Sequence, residues 1–157
     1  MKTLKRILLA EDDPADRKLT LRVFTDHNLA NAVDVARDGA EALDYLFRTG
    51  KFASRPEGHP LLVLLDIKMP KVDGIEVLRR IKADPELRVI PVVVLTSSHE
   101  ERDLAQCYGF GVNAYVVKPM EFQAFVDAVK QLAVFWALIN EPPPDVLPGS
   151  AEVGTAP

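Results

Sequence analysis

LLVLLD, residues 61–66, places five apolar residues in a row directly before a carboxylate. A strand with one face in water alternates apolar and polar residues, whereas a strand covered on both faces is apolar throughout. The runs PVVVL at 91–95 and AYVV at 114–117 have the same continuous character. These three segments predict strands of a parallel sheet that carries helices on both faces.

Outward from this stretch, short β-rich runs alternate with segments whose apolar residues recur at helical spacing. The five runs cover residues 7–10, 32–36, 61–65, 91–95 and 114–117. Side chains suited to cap the helix starts are Asp13, Asp38, Asp73 and Ser98. The last helix is expected over about residues 121–140. Five strand–helix units in one chain predict an α/β domain.

The composition fits one globular domain with a short extension. The chain has 157 residues, of which 48% are hydrophobic, and a formal net charge of −4. This charge gives no sign of a nucleic-acid partner, and no apolar run approaches the roughly 18 residues that span a bilayer. The apolar run at 7–10 is also too short for a signal peptide. We therefore expect a cytoplasmic protein with no membrane or nucleic-acid partner.

The cysteine and histidine residues do not suggest a metal or redox site. The one cysteine, Cys107, excludes an internal disulfide and a zinc site built from several cysteines. The three histidines, His27, His59 and His99, lack the spacing of metal ligands and are expected on the surface.

A change of composition after Asn140 marks the expected end of the folded domain, which we place at residues 1–140. The extension, residues 141–157, contains five prolines and cannot be helical. It is either a disordered tail or an extended polyproline arm. Trp136 and Ile139, near the end of the last helix, are expected to stand clear of the sheet, and this apolar helix end favours an arm laid on a second copy of the chain. We therefore expect a homodimer.

Chemically versatile residues follow four of the predicted strands at the point where each ends. They are Glu11 and Asp12, then Asp66, Thr96 and Lys118. In a doubly wound sheet these ends meet in one crevice, where crowded carboxylates repel each other unless a cation neutralises them. Oxygen ligands favour Mg²⁺, while a lysine ammonium and a threonine hydroxyl suit phosphate oxygens. The set predicts a phosphoryl-transfer site with Asp66 as the nucleophile.

Four segments carry a resemblance to the response-regulator receiver family. They are ILLAEDD at 7–13, LLDIKMPKVDG at 64–74, VVLTSS at 93–98 and AYVVKP at 114–119. The resemblance spans about residues 5–138 and implies a flavodoxin-like α/β fold: a doubly wound, five-stranded parallel sheet of order 2-1-3-4-5 with five helices. More narrowly, the chain resembles stand-alone receivers paired with bacterial and cyanobacterial phytochromes. The segments of that likeness are EDDPAD at 11–16, the long connection at 49–60 and FW at 135–136.

The resemblance implies a metal site around the phosphoacceptor. By this likeness Asp66 accepts the phosphoryl group, and Glu11 and Asp12 form the acidic pair, with Asp12 the more direct ligand of Mg²⁺. Asp66 itself and the backbone carbonyl of Lys68 complete the implied protein ligands.

The resemblance also implies the residues that hold and sense the phosphoryl group. Thr96 and Lys118 would contact its oxygens, and the Lys118–Pro119 peptide bond would be cis. Tyr115 matches the aromatic switch position, where the ring changes rotamer when Thr96 moves toward the phosphate.

By this resemblance the protein is a single-domain response regulator of a two-component phosphorelay. A sensor histidine kinase, with a phytochrome-type kinase as the first candidate, would donate the phosphoryl group to Asp66. The protein would not be an enzyme with an external substrate, because it would catalyse only its own phosphorylation and dephosphorylation. Only 17 residues follow Asn140, too few for a second core, so the signal is expected to leave through the receiver's own surface.

Two other functions would use similar residues. A phosphatase of the haloacid-dehalogenase type also has an aspartate nucleophile and Mg²⁺, but it needs a second acid two residues later, where this chain has Lys68. A pseudo-receiver that only binds partners would have lost the acidic pair, Asp66 or Lys118, and all of these are present.

Overall fold

Five parallel strands form one sheet, with helices in the connections between them. The computed structural model describes residues 3–28 and 33–144. The strands are β1 (Thr3–Ala10), β2 (Val33–Ala36), β3 (His59–Leu65), β4 (Val92–Thr96) and β5 (Ala114–Val117). The helices are α1 (Pro14–Asp26), α2 (Gly39–Phe47), α3 (Gly74–Ala83), α4 (Glu101–Gly109) and α5 (Phe122–Leu132). The strand order is β2-β1-β3-β4-β5, so the predicted fold class and strand order are confirmed.

Both faces of the sheet are buried, because its central strand sends alternate side chains into two separate cores. In β3, Val63 and Leu65 belong to a core covered by α2, α3 and α4. Leu62 and Leu64 belong to a second core covered by α1 and α5. None of these four side chains is exposed to solvent, which explains why this strand shows no polar alternation.

Three of the four predicted helix caps are made. The capping carboxylates belong to Asp13, Asp38 and Asp73, and they accept backbone N–H groups at N···O distances between 2.8 and 3.1 Å. The prediction for Ser98 is wrong, because α4 begins at Glu101 and its cap position is Glu100, which makes no side-chain capping bond. The Ser98 hydroxyl donates instead to the Asp103 carboxylate at 2.6 Å.

The last helix changes its winding before it ends. Residues Ala133–Ile139 continue α5 as a π-helical segment, which ends at Asn140. Trp136 packs against the second core, whereas Phe135 and Ile139 are 47% and 62% exposed. The expectation that the apolar helix end stands clear of the sheet therefore holds for Ile139 and is wrong for Trp136.

Of the predicted extension, the structure describes only Glu141–Pro144. The choice between an arm and a disordered tail concerns mainly residues 145–157, which lie outside the described residues. Within the described residues, no helix combines the length and apolar character that crossing a membrane requires.

His59, the first residue of β3, is buried, so the expectation that it lies on the surface is wrong. Neither of its ring nitrogens has a hydrogen-bond partner among the described residues. Burial lowers the pKa of His59. A buried polar group without a partner costs about 1–3 kcal/mol.

Candidate active site

Three carboxylates meet at the carboxyl edge of the sheet. Glu11 and Asp12 follow β1, and Asp66 follows β3. These two strands pair directly, and the Asp66 N–H donates to the Ala10 carbonyl at 3.0 Å. The three side chains each offer an oxygen within 4.8 Å of the others. Glu11 and Asp66 are buried while Asp12 is partly exposed, so the cluster is open to solvent on one side.

The ammonium group of Lys118, just after β5, lies among these acids. It donates to Glu11, to Asp16 at 2.8 Å and to Asp66 at 3.3 Å. The sequence prediction missed Asp16, which lies in the first turn of α1. Its signal was available in EDDPAD, because a residue three places after the cap Asp13 lies one helical turn further on.

In this crevice the Lys118 ammonium contacts three carboxylates, so negative groups outnumber it. Burial raises the pKa of Glu11 to about 8, and the neighbouring Asp66 carboxylate adds to the shift, while the Lys118 ammonium opposes it. Burial lowers the pKa of Lys118, but its hydrogen bonds to Asp16 and Glu11 outweigh burial and leave that pKa above its usual value. Clustered oxygen ligands with excess negative charge fit a hard divalent cation, so the residues present suit a metal site at Glu11, Asp12 and Asp66.

One oxygen of the Asp66 carboxylate is fixed by the backbone. Its Oδ1 accepts the Ile67 N–H at 2.7 Å, and its Oδ2 faces Lys118. The start of α3 lies close beneath it, since a Cβ added at Gly74 would lie 2.0 Å from the Asp66 carbonyl oxygen. Only glycine allows α3 to approach the acceptor this closely.

The loop between β3 and α3 is held from both sides by lysine side chains. Lys68 Nζ lies 3.4 Å from the Asp103 carboxylate on α4, and Lys71 Nζ lies 3.4 Å from the Asp38 carboxylate at the start of α2. Lys71 has a left-handed backbone with φ of 68°. Both lysine side chains are largely exposed, so these ion pairs orient the segment more than they stabilise it. The backbone carbonyl of Lys68 in this segment stays a predicted metal ligand.

The side chains of Thr96 and Tyr115 both form hydrogen bonds with the backbone of Ser98. Thr96 ends β4 and is fully buried, and its hydroxyl accepts the Ser98 N–H at 3.3 Å. The Thr96 carbonyl accepts the Lys118 N–H at 2.7 Å. The Tyr115 hydroxyl donates to the Ser98 carbonyl at 2.8 Å. The predicted switch pair is therefore connected through the backbone of one residue.

The predicted cis peptide bond is absent. No peptide bond within residues 3–28 and 33–144 is cis, which includes Lys118–Pro119, so this prediction is wrong. The trans form is the more stable isomer of an X–Pro bond by about 0.5–1 kcal/mol. Lys118 reaches Glu11 and Asp66 with that bond in trans.

Comparison with known proteins supports the same family and fold. Residues 7–130 match the family model of the response regulator receiver domain. Response regulator Rcp1 of Synechocystis sp. is 39% identical over 132 residues, which cover 84% of this chain and 88% of Rcp1. The crystal structure of the Mn(2+)-bound form of Rcp1 matches with a TM-score of 0.83 at 37% identity, over 92% of this chain and 100% of that chain.

Two further solved structures are similar over most of this chain. The phosphorylated cyanobacterial phytochrome response regulator RcpA matches with a TM-score of 0.82 and 38% identity, over 91% of this chain and 99% of that chain. The bacteriophytochrome response regulator RtBRR is 57% identical with a TM-score of 0.70, over 90% of this chain and 85% of that chain.

Proposed function

This chain belongs to the response regulator receiver family, and from that premise we propose that Asp66 takes a phosphoryl group from a histidine kinase in a reaction that needs Mg²⁺. One observation carries the proposal. The carboxylates of Glu11, Asp12 and Asp66 lie within 4.8 Å of one another, and the Lys118 ammonium contacts Glu11 and Asp66.

In the proposed reaction, an Asp66 carboxylate oxygen attacks the phosphorus of a phosphohistidine. The new O–P bond forms as the P–N bond breaks, and the electron pair of that bond returns to the imidazole of the kinase. Because Ile67 N–H already binds Oδ1, Oδ2 is the oxygen that faces the crevice. Lys118 then balances charge on the transferred group, and the Thr96 hydroxyl supplies a hydrogen-bond donor.

Receivers bind a divalent metal ion at this acidic pocket, and we propose Mg²⁺ for this chain. The residues that would hold it are Asp12, Asp66 and the carbonyl of Lys68, with Glu11 beside them. When bound, the ion neutralises charge on the phosphoryl oxygens. The raised pKa of Glu11 comes mainly from burial and in part from the neighbouring Asp66 carboxylate, and a bound cation would offset both effects.

We propose a phytochrome-type histidine kinase as the partner, met in the cytoplasm. The support is the likeness to two phytochrome response regulators, RcpA and RtBRR, at 38% and 57% identity. The proposed chemistry is confined to the protein's own aspartyl phosphate. A haloacid-dehalogenase mechanism finds no support, because position 68 holds a lysine whose side chain turns toward Asp103.

We propose further that the protein forms a homodimer and that it signals through the surface of its own receiver domain. The π-helical segment exposes Phe135 and Ile139, which line a groove of about 460 Å³ together with Val134. Two-fold symmetry would place the same apolar groove on both sides of the contact.

Phosphoryl transfer from purified kinases tests the proposal. Histidine kinases are first labelled from ATP, a phytochrome-type kinase among them, and each is then mixed with this protein and Mg²⁺. We expect label to move to the wild-type chain and not to Asp66→Asn. Transfer at the same rate to both proteins, or from no histidine kinase at all, would contradict the proposal.

A further inference from the structure

Asp103, on α4, is a buried carboxylate that lies outside the acidic cluster. It is 3% exposed, and its Oδ2 atom faces two different loops of the site. The Ser98 hydroxyl donates to it at 2.6 Å from the β4–α4 loop. The Lys68 ammonium lies 3.4 Å from it in the β3–α3 loop. A single oxygen of α4 is therefore bound to the loops that follow the central strands β3 and β4.

Ser98 connects this carboxylate to the residues expected to sense the phosphoryl group. Its N–H donates to the Thr96 hydroxyl, its carbonyl accepts the Tyr115 hydroxyl, and its own hydroxyl donates to Asp103. Movement of Thr96 toward Asp66 would displace Ser98 and strain its hydrogen bond to α4. A bond from a buried hydroxyl to a buried carboxylate is costly to leave unmade, so α4 would have to follow.

Space for such a movement exists beside the bond. A cavity of about 360 Å³ lies between α3 and α4, and its walls include Lys68, Asp103 and Phe110. The Lys68 side chain is 57% exposed, so its ion pair with Asp103 adds orientation more than stability. The hydrogen bond from Ser98 to Asp103 is buried, shorter and more directional than the ion pair with Lys68.

We propose that Asp103 is a positioning residue that transmits the phosphorylation state of Asp66 to α4 through Ser98, with Lys68 as a second contact. This inference rests on the proposed function, because it needs Asp66 to accept a phosphoryl group. It goes beyond that function in naming the side chain that links the site to a helix on the surface.

Hydrogen exchange of the α4 amides, measured with and without acetyl phosphate and Mg²⁺, tests this role. Allosteric couplings of common size change an equilibrium by roughly five-fold or more, and we expect a change of that order in wild-type α4. Asp103→Ala and Ser98→Ala should each remove most of the change. The double variant should do no more than either single one, because both act through the same bond. Asp103→Asn keeps an acceptor for Ser98 and should retain part of the response.

Two matched controls separate this role from a structural one. Glu101→Gln changes an exposed acid on the same helix, and Ser97→Ala changes an exposed serine beside Ser98; both should keep the full response. If Asp103 only stabilised the fold, exchange would rise equally in both states and the difference between them would stay at the wild-type value. That result in Asp103→Ala and Asp103→Asn would overturn the inference.

The intact mass of each protein, recorded in parallel, shows whether Asp66 has gained a phosphoryl group, which is the label meant below. Labelled wild-type protein with no change at α4, or labelled Asp103 variants with the full change, would overturn this inference alone. A wild-type protein that takes no label would overturn the proposed function, and the inference with it.

Discussion

The Lys118 ammonium lies 3.3 Å from the Asp66 carboxylate, although the two residues are 52 positions apart in the chain. They follow β5 and β3, which do not pair with each other because β4 lies between them. The lysine side chain therefore crosses the end of β4 to reach the acceptor. This relationship places the positive charge of Lys118 among buried carboxylates, and its removal should have measurable consequences.

Lys118→Met should lower the free energy of unfolding by about 3 kcal/mol without divalent ions, because it leaves buried carboxylates without their partner. Saturating Mg²⁺ should stabilise this variant more than the wild type, since the ion replaces the lost charge. Chemical denaturation with and without Mg²⁺ measures both effects. Lys130→Met, which changes an exposed lysine on α5, is the control and should do neither. A Lys118→Met protein as stable as the wild type in chelator would contradict the charge assignment.

Gly74→Ala should destabilise the protein by about 1–3 kcal/mol, because the new Cβ overlaps the Asp66 carbonyl. It should also slow phosphorylation, since α3 and the acceptor must separate. Gly109→Ala is the matched control: nothing lies within 4 Å of a Cβ placed there. That change should be neutral or stabilise by about 0.4–1 kcal/mol. Equal effects of the two substitutions in thermal denaturation would show that the close approach of α3 is unimportant.

Protonation of His59 should cost the folded protein stability as the pH falls below about 6.5, the ordinary pKa of histidine, against the opposite effect of Glu11, whose raised pKa favours the folded state on acidification. Burial lowers the pKa of His59 in the folded state, so on acidification the unfolded chain takes up a proton first and is favoured. His59→Leu should make this loss smaller and should raise stability at pH 7 by about 1 kcal/mol. Denaturation curves from about pH 7.5 to about pH 5.5, on both sides of the ordinary pKa of histidine, provide the measurement.

The matched control for the histidine experiment is His99→Leu, an exposed position. It should leave the pH dependence of stability as in the wild type. If His59→Leu and the wild type showed parallel curves, the buried imidazole would not be the titrating group.

Much of the fold could be predicted from the sequence because strands covered on both faces are continuously apolar, as in residues 61–65. The apolar run predicts that β1 starts at residue 7, because charged residues such as Lys5 and Arg6 are uncommon in buried strands, whereas the strand starts at Thr3. Arg6 is tolerated there since its guanidinium binds Asp34 on the neighbouring strand β2, with two N···O distances of 2.7 Å. Such pairing depends on which strands are neighbours, and no local pattern contains that information.

The acidic cluster and Lys118 could be predicted because strand ends converge in this fold class. Asp103 could not be predicted in the same way, because its role depends on where a helical side chain points after a turn. The isomer of the Lys118–Pro119 peptide bond could not be predicted from the sequence either, since an X–Pro dipeptide allows both cis and trans.

If residues 141–157 form the predicted arm on a second copy, the chain stopped at Asn140 should associate less well than the full-length protein. The exposed Phe135 and Ile139 would remain, but residues 141–157 could no longer reach the second copy. Light scattering over a range of concentrations gives the mass of each form. A full-length monomer, or equal dimerisation of both forms, would show that the extension does not contribute to a dimer interface.

The most direct test of the central claim is the intact mass of the protein after incubation with acetyl phosphate and Mg²⁺. The wild type should gain the mass of one phosphoryl group, in a bond that alkaline hydroxylamine cleaves, as it does acyl phosphates. Asp66→Asn keeps the size of the side chain and removes the nucleophile, so it should gain nothing. Undiminished labelling of Asp66→Asn, or labelling of the wild type that mapped to Asp12, would contradict the assignment of Asp66 as the phosphoacceptor.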